Sequence, residues 1–218
     1  DQGMMFGYAC SDTSQMLPTA MVILQTLSRT YDKLRQKDTR FLPDGKAQIT
    51  GYYNDEMKLQ KIKTFTISYN NTEQERFDTD EIIKKICNDI CKYYDIEVEE
   101  YLINPTGKFV IGGFEGDAGL TGRKIVVDNY QSFANVGGGA FSGKDPTKVD
   151  RSGAYKARQI AMMHLVEYGL EWCEVQRSYA IGLDRPLAIY INSDKGNIKP
   201  TEMLYAECTP RRIIKDLK

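Results

Sequence analysis

The sequence predicts an α+β fold built from a duplicated two-layer α/β unit, each sheet carrying helices on one face. Two observations carry this prediction. The order helix–hairpin–helix occurs twice, roughly 135 residues apart. A glycine-rich, charged stretch of little regular periodicity separates the two copies. A chain of 218 residues is long enough to bury one large core or two small ones.

The first copy opens with a helix over residues 16–37, where Ala20, Leu24, Leu27, Tyr31 and Leu34 recur at three- and four-residue steps. Lys46–Tyr53 and Lys61–Tyr69 read as strands around an Asn54-Asp55 turn, with Phe65, Ile67 and Tyr69 alternating with Thr64, Thr66 and Ser68. Asp78-Thr79-Asp80-Glu81 has capping-box spacing and opens a second helix with Ile82, Ile83, Ile86 and Ile90 on one face. In the second copy a helix over 152–168 carries Ala157, Ile160, Ala161, Leu165 and Tyr168, and Gly169 stops it. Strands follow near Glu174–Ile181 and Leu187–Asn192, around Asp184-Arg185-Pro186, and a third helix starts near Pro200. His164 falls on the apolar face of its helix and reads as a packed or half-buried imidazole.

The formal net charge is −1, so no overall field draws the chain to nucleic acid or to an anionic membrane, and neither partner is expected. No apolar run approaches the ~20 residues of a membrane span, and the first residues lack the basic region of a signal peptide. Cys10, Cys87, Cys91, Cys173 and Cys208 form no CxxC pair. With a single histidine they predict no zinc site, and they suit reduced thiols in the cytoplasm.

Residues 104–151 hold more than half of the eighteen glycines, interleaved with Phe109, Leu120, Val126, Val127 and Phe141 rather than with serine and proline. Arg123, Lys124, Lys144 and Lys148 sit beside Gly119–Gly122 and Gly137–Gly143. Glycines let backbone N–H groups approach an anion, and Arg and Lys add charge. Asp117, Asp145 and Asp150 are interspersed, as Mg²⁺ coordination or contacts to a ribose or an amino group require. The sum is a polyphosphate site with metal. Gly138–Lys144 fits the G-x-x-x-x-G-K start of a P-loop, but Asp145 stands where Ser or Thr would hold Mg²⁺ and Pro146 follows. A P-loop phosphotransferase is therefore not predicted.

The runs Asp1–Ala9, Phe109–Gly113, Gly116–Lys124 and Gly137–Arg151 resemble S-adenosylmethionine synthases in order and spacing, and the resemblance covers essentially the whole chain. It implies a central domain over residues 1–111 and a C-terminal domain over 112–218. It also implies synthesis of S-adenosylmethionine from ATP and L-methionine, with release of pyrophosphate and phosphate, assisted by two Mg²⁺ and one K⁺. The implied partner is a second copy, in a homodimer or higher oligomer with sites at the subunit interface.

Residue by residue, the resemblance implies a methionine site from Asp1, Asp117, Lys148 and Ile181. It implies nucleotide contacts from Asp44, Lys46, Lys108, Phe109, Asp117, Arg123, Lys124, Ala140 and Lys144, with Phe109 stacking on adenine. Lys46, Arg123 and Lys144 are the implied catalytic cations, Asp150 the Mg²⁺ ligand, and Ser142 and Ala118 the K⁺ ligands. The family's earlier His-Pro-Asp-Lys motif, a K⁺-binding glutamate and a mobile loop are not in this sequence. The expectation is thus a fragment or partial chain, weakly active or inactive alone, with a non-catalytic nucleotide-binding or regulatory module as the alternative.

Overall fold

A computed structural model describes residues 2–72 and 76–217. Along the chain lie β1 (Gly3–Cys10), α1 (Thr19–Arg35), β2 (Phe41–Tyr53), β3 (Leu59–Asn71), α2 (Arg76–Tyr93) and β4 (Val98–Ile103). The single turns α3 (Gly113–Gly116) and α4 (Ile125–Asp128) follow, then α5 (Val149–Tyr168), β5 (Trp172–Tyr179), β6 (Ala188–Ser193), α6 (Glu202–Glu207) and α7 (Pro210–Asp216). They form an α+β fold of two compact units. One is Pro18–Gly119; the other joins the segment ending at Leu17 to Leu120–Lys218.

In the Pro18–Gly119 unit the sheet order is β2-β3-β4, with β2 antiparallel and β4 parallel to β3. The predicted alternation holds at Phe65, Ile67 and Tyr69, which are buried. It fails before them because the register slips between Thr50 and Gly51, so Ile62 and Phe65, three apart, both face the core. Tyr31, Phe41 and Tyr69 meet ring to ring at 5.6–6.3 Å. The Tyr31 hydroxyl donates to the Leu42 carbonyl at 2.6 Å, tying α1 to β2. Helix α2 begins two residues before the predicted Asp78. Thr79 and Asp80 accept the Tyr69 hydroxyl at 2.8 and 2.6 Å, tying the start of α2 to β3. Helix α1 is shorter than predicted because Pro18 caps it and Met16 has a left-handed backbone.

In the other unit the sheet order is β1-β5-β6, antiparallel throughout. Strand β5 alternates strictly, with Cys173, Val175, Arg177 and Tyr179 buried. They face α5, where Ala157, Ile160, Ala161 and Leu165 are buried with them. Gly169 ends α5 in the left-handed conformation, as predicted (φ 59°). Strand β5 stops at Tyr179, so Ile181 lies in the following turn rather than in the strand. The predicted helix near Pro200 is two helices. Thr201 caps α6, Thr209 caps α7, and Pro210 at the first helical position starts the second turn afresh. Lys156 of α5, nearly buried, reaches Asp216 of α7 at 3.4 Å. Burial alone would raise the Asp216 carboxyl, but hydrogen bonds from Arg212 and Lys156 hold it below the usual range.

All five cysteines are buried and unpaired. Burial pushes the Cys10, Cys87 and Cys173 thiols up to about 12 and Cys91 up to about 11. These thiols ionise first in the unfolded chain, so stability is expected to fall as pH climbs past the ordinary thiol value of 9.0. Native protein at pH 8 is also expected to react with an aromatic disulfide reagent far more slowly than protein in urea. A fast-reacting native thiol at pH 8 would contradict this placement. No helix among the described residues is long and apolar enough to cross a membrane.

Candidate functional site

In the Pro18–Gly119 unit the site residues are organised by the end of β3. Asn70 is buried, and its amide donates to the carbonyls of Phe109 at 2.7 Å and Val110 at 3.0 Å. The Asn71 N–H adds a second bond to the Phe109 carbonyl at 2.9 Å. Phe109 is thereby pinned by its backbone, half-buried, while Lys108 is exposed. Three residues on, a Cβ at Gly112 would lie 2.7 Å from Asn70 Oδ1, so any larger residue there would push the Asn70 amide off the two carbonyls. Asp44, just past the irregular start of β2, accepts the Gly113 N–H at 3.1 Å. This brings Asp44 to the loop that carries Asp117. Lys46, Asp117 and Ala118 are all exposed.

Asn70 escaped the sequence reading, although a buried asparagine pair ending a strand is a usable signal. Asn70→Ala is expected to cost about 2 kcal/mol in urea unfolding, because two part-buried carbonyls lose a donor. Unchanged stability would show that the bonds are not needed.

In the other unit the glycine-rich segment runs over the sheet face opposite α5. Tyr130 is buried edge-on against Tyr8 at 5.8 Å, and Asn135 bonds the Glu174 carboxylate at 2.8 Å through its backbone N–H and its amide. A Cβ at Gly137 would lie 2.2 Å from the Met4 carbonyl, so the chain passes β1 at backbone distance. Helix α5 starts at Val149 rather than the predicted 152, because its first turn is held by Arg151 and Ser152 N–H bonds to the Lys148 carbonyl. This correction places Asp150 in the first helical turn, not in the loop. There Asp150 Oδ2 accepts Lys144 Nζ at 2.6 Å, with side chains 18% and 28% exposed. A Cβ at Gly139 would meet the Asp150 carboxylate at 2.2–2.6 Å. Met4, Met5, Phe6, Gly137, Gly139, Phe141 and Asp150 border one small recess.

Ala140 packs near Gly122, whose Cβ would lie 2.9 Å from that of Ala140, so the segment of Arg123 and Lys124 runs beside it. Arg123, Lys124, Ser142 and Lys148 are exposed. Ile181 is 72% exposed, in the turn after β5. Asp1 lies outside the described residues. His164 is half-buried, with Nδ1 2.9 Å from the Ile160 carbonyl and its ring 5.5 Å from Tyr168.

Asp150 tests the implied Mg²⁺. Among the described residues no three His, Cys, Asp or Glu side chains converge as a metal cluster. A single seated carboxylate fits Mg²⁺ held mainly by phosphate oxygens and water. The implied K⁺ ligands Ser142 and Ala118 fall in different compact units.

The family model for the S-adenosylmethionine synthetase central domain matches residues 1–109, and that for the C-terminal domain matches residues 111–218. The chain belongs to the S-adenosylmethionine synthetase family. Among curated relatives, the S-adenosylmethionine synthase of Synechococcus sp. strain CC9605 is 46% identical over 88% of this chain and 51% of its own length. That of Nocardioides sp. is 42% identical over all of this chain and 58% of its own. A solved structure described as an unusual S-adenosylmethionine synthetase from Campylobacter jejuni superimposes with a TM-score of 0.83 at 32% identity. It covers 99% of this chain and 60% of that one. The chain thus spans between half and three fifths of the synthetases it matches.

Proposed function

We propose that this chain supplies the central and C-terminal parts of a methionine adenosyltransferase, a transferase that makes S-adenosylmethionine from ATP and L-methionine. The observation that carries the reading is the Lys144–Asp150 pair, seated against Gly139 at the start of α5 in a chain of this family. In the reaction the methionine sulfur bonds to C5′ of ATP and the C5′–O bond breaks. Tripolyphosphate departs with the electron pair, and water then cleaves it to pyrophosphate and phosphate. A thioether carries no proton, so attack needs no general base, and His164, engaged within its own helix, is not required.

Negative charge grows on the leaving tripolyphosphate. Lys144, with Arg123, Lys124 and Lys46, would stabilise that charge more in the transition state than in bound ATP. Asp150 would hold one of the two Mg²⁺ ions of the family pattern, which would neutralise further phosphate charge. Ser142 and Ala118 would take K⁺, and Phe109, with Asp44 and the Lys108 backbone, the adenosine. Asp117 would serve ribose and methionine, Ala140 the phosphates through its backbone, and Asp1, Lys148 and Ile181 the methionine.

The reading includes a cytoplasmic setting, which five buried reduced thiols suit, and a homodimer or higher oligomer. Met4, Ala188 and Tyr190, exposed on one side of the β1-β5-β6 sheet, support the association. Calorimetry with a non-hydrolysable ATP analogue tests the site. Lys144→Ala and Phe109→Ala should each weaken binding tenfold or more, on the order of 1–3 kcal/mol. Undiminished affinity in both variants would sink the assignment.

A further inference from the structure

We propose that Asp150 binds two cations in alternation, the Lys144 ammonium and a divalent metal, so that metal arrival releases Lys144 to the polyphosphate. The inference rests on the polyphosphate reading above and adds an order of events to it. The carboxylate is the more closely seated partner. It stands in the first turn of α5, and Gly139 lies so close that a Cβ there would fall 2.2–2.6 Å from Cγ and both oxygens. Gly139 therefore bounds the carboxylate on one side, and Asp150 cannot swing that way towards an incoming ion.

Lys144 is the movable partner. Its backbone is held by its N–H bond to the Phe141 carbonyl at 3.2 Å and by the Arg151 guanidinium on its own carbonyl. The stem beyond is four flexible carbons ending in a compact point charge. At 2.6 Å the ammonium occupies Oδ2, and a second cation on that oxygen would be repelled by it. A part-exposed Lys–Asp pair is cheap to break, whereas a divalent ion carries twice the charge. Phosphate oxygens then offer Lys144 a new counter-charge within the same glycine loop. While paired, Lys144 is withheld from phosphate, so metal and polyphosphate should bind with positive coupling that runs through this lysine.

Titrating tripolyphosphate calorimetrically into the full chain, in EDTA and in Mg²⁺, tests the exchange. In EDTA, Asp150→Asn should bind tripolyphosphate several-fold more tightly than the unaltered chain, and that gain should vanish in a Lys144→Met background. Without phosphate, Lys144→Met should take up Mn²⁺ more tightly than the unaltered chain, read by the loss of the free-ion spin-resonance signal. An equal Asp150→Asn gain in both backgrounds, or an unchanged Mn²⁺ affinity in Lys144→Met, overturns the exchange and leaves the polyphosphate site standing. No tripolyphosphate binding by the unaltered chain in either buffer overturns the site itself.

Discussion

Gly7→Ala is expected to destabilise the β1–α5 unit by on the order of 3 kcal/mol, the upper range for overpacking a close-packed core. A Cβ at Gly7 would lie 2.1 Å from the Ala157 carbonyl carbon and from the Arg158 nitrogen. Both are backbone atoms, so no rotamer change relieves the clash, and the whole helix must move. Its movement is resisted at both ends of the contact. The Arg158 guanidinium bonds the Met16 carbonyl at 3.0 Å and the Gln15 carbonyl at 2.7 Å, and Arg177 of β5 bonds the Gly153 carbonyl. Urea unfolding followed by circular dichroism reads the loss as a lower midpoint, and a midpoint equal to that of the unaltered chain would refute the close approach.

Gly139→Ala separates site from stability. Its Cβ would lie 2.2 Å from Asp150 Cγ, so the end of a side chain, not backbone, must give way. Folding should be little changed while the carboxylate leaves its seat and the Lys144 pair breaks. In the assembled enzyme the loss of one placed electrostatic group should lower turnover about 10²–10³-fold, and Mg²⁺ should no longer strengthen tripolyphosphate binding. Gly138→Ala is the control, because nothing lies within 4 Å of its Cβ position. Equal behaviour of the two variants in metal-dependent binding would show that Gly139 does not hold Asp150.

Strands β3, β5 and β6 and helices α1, α2 and α5 were legible because each shows one buried face in its residue pattern, and β2, where only Phe41 is buried, was legible from its turn at Asn54-Asp55. Strand β1 was not, because Met5, Phe6, Gly7, Tyr8, Ala9 and Cys10 are buried on both faces and leave no alternation to read. Strand β4 was missed for the opposite reason. None of its residues is fully buried, Glu99 and Glu100 break its apolar pattern, and Lys61 pairs Glu97 and Glu99 at 3.1 Å across the parallel edge.

By itself the sequence determined the α+β class, the repeated element order, the family and the inventory of phosphate-seeking cations, because these depend on local periodicity and motif spacing. Tertiary structure alone decided that β1 joins β5 across some 170 residues, that α5 begins early enough to carry Asp150, and that Lys144 rests on that carboxylate. Those outcomes depend on how closely backbone approaches backbone or carboxylate at Gly7, Gly137 and Gly139. Such distances are set by packing between segments remote in the chain, and no local pattern encodes them.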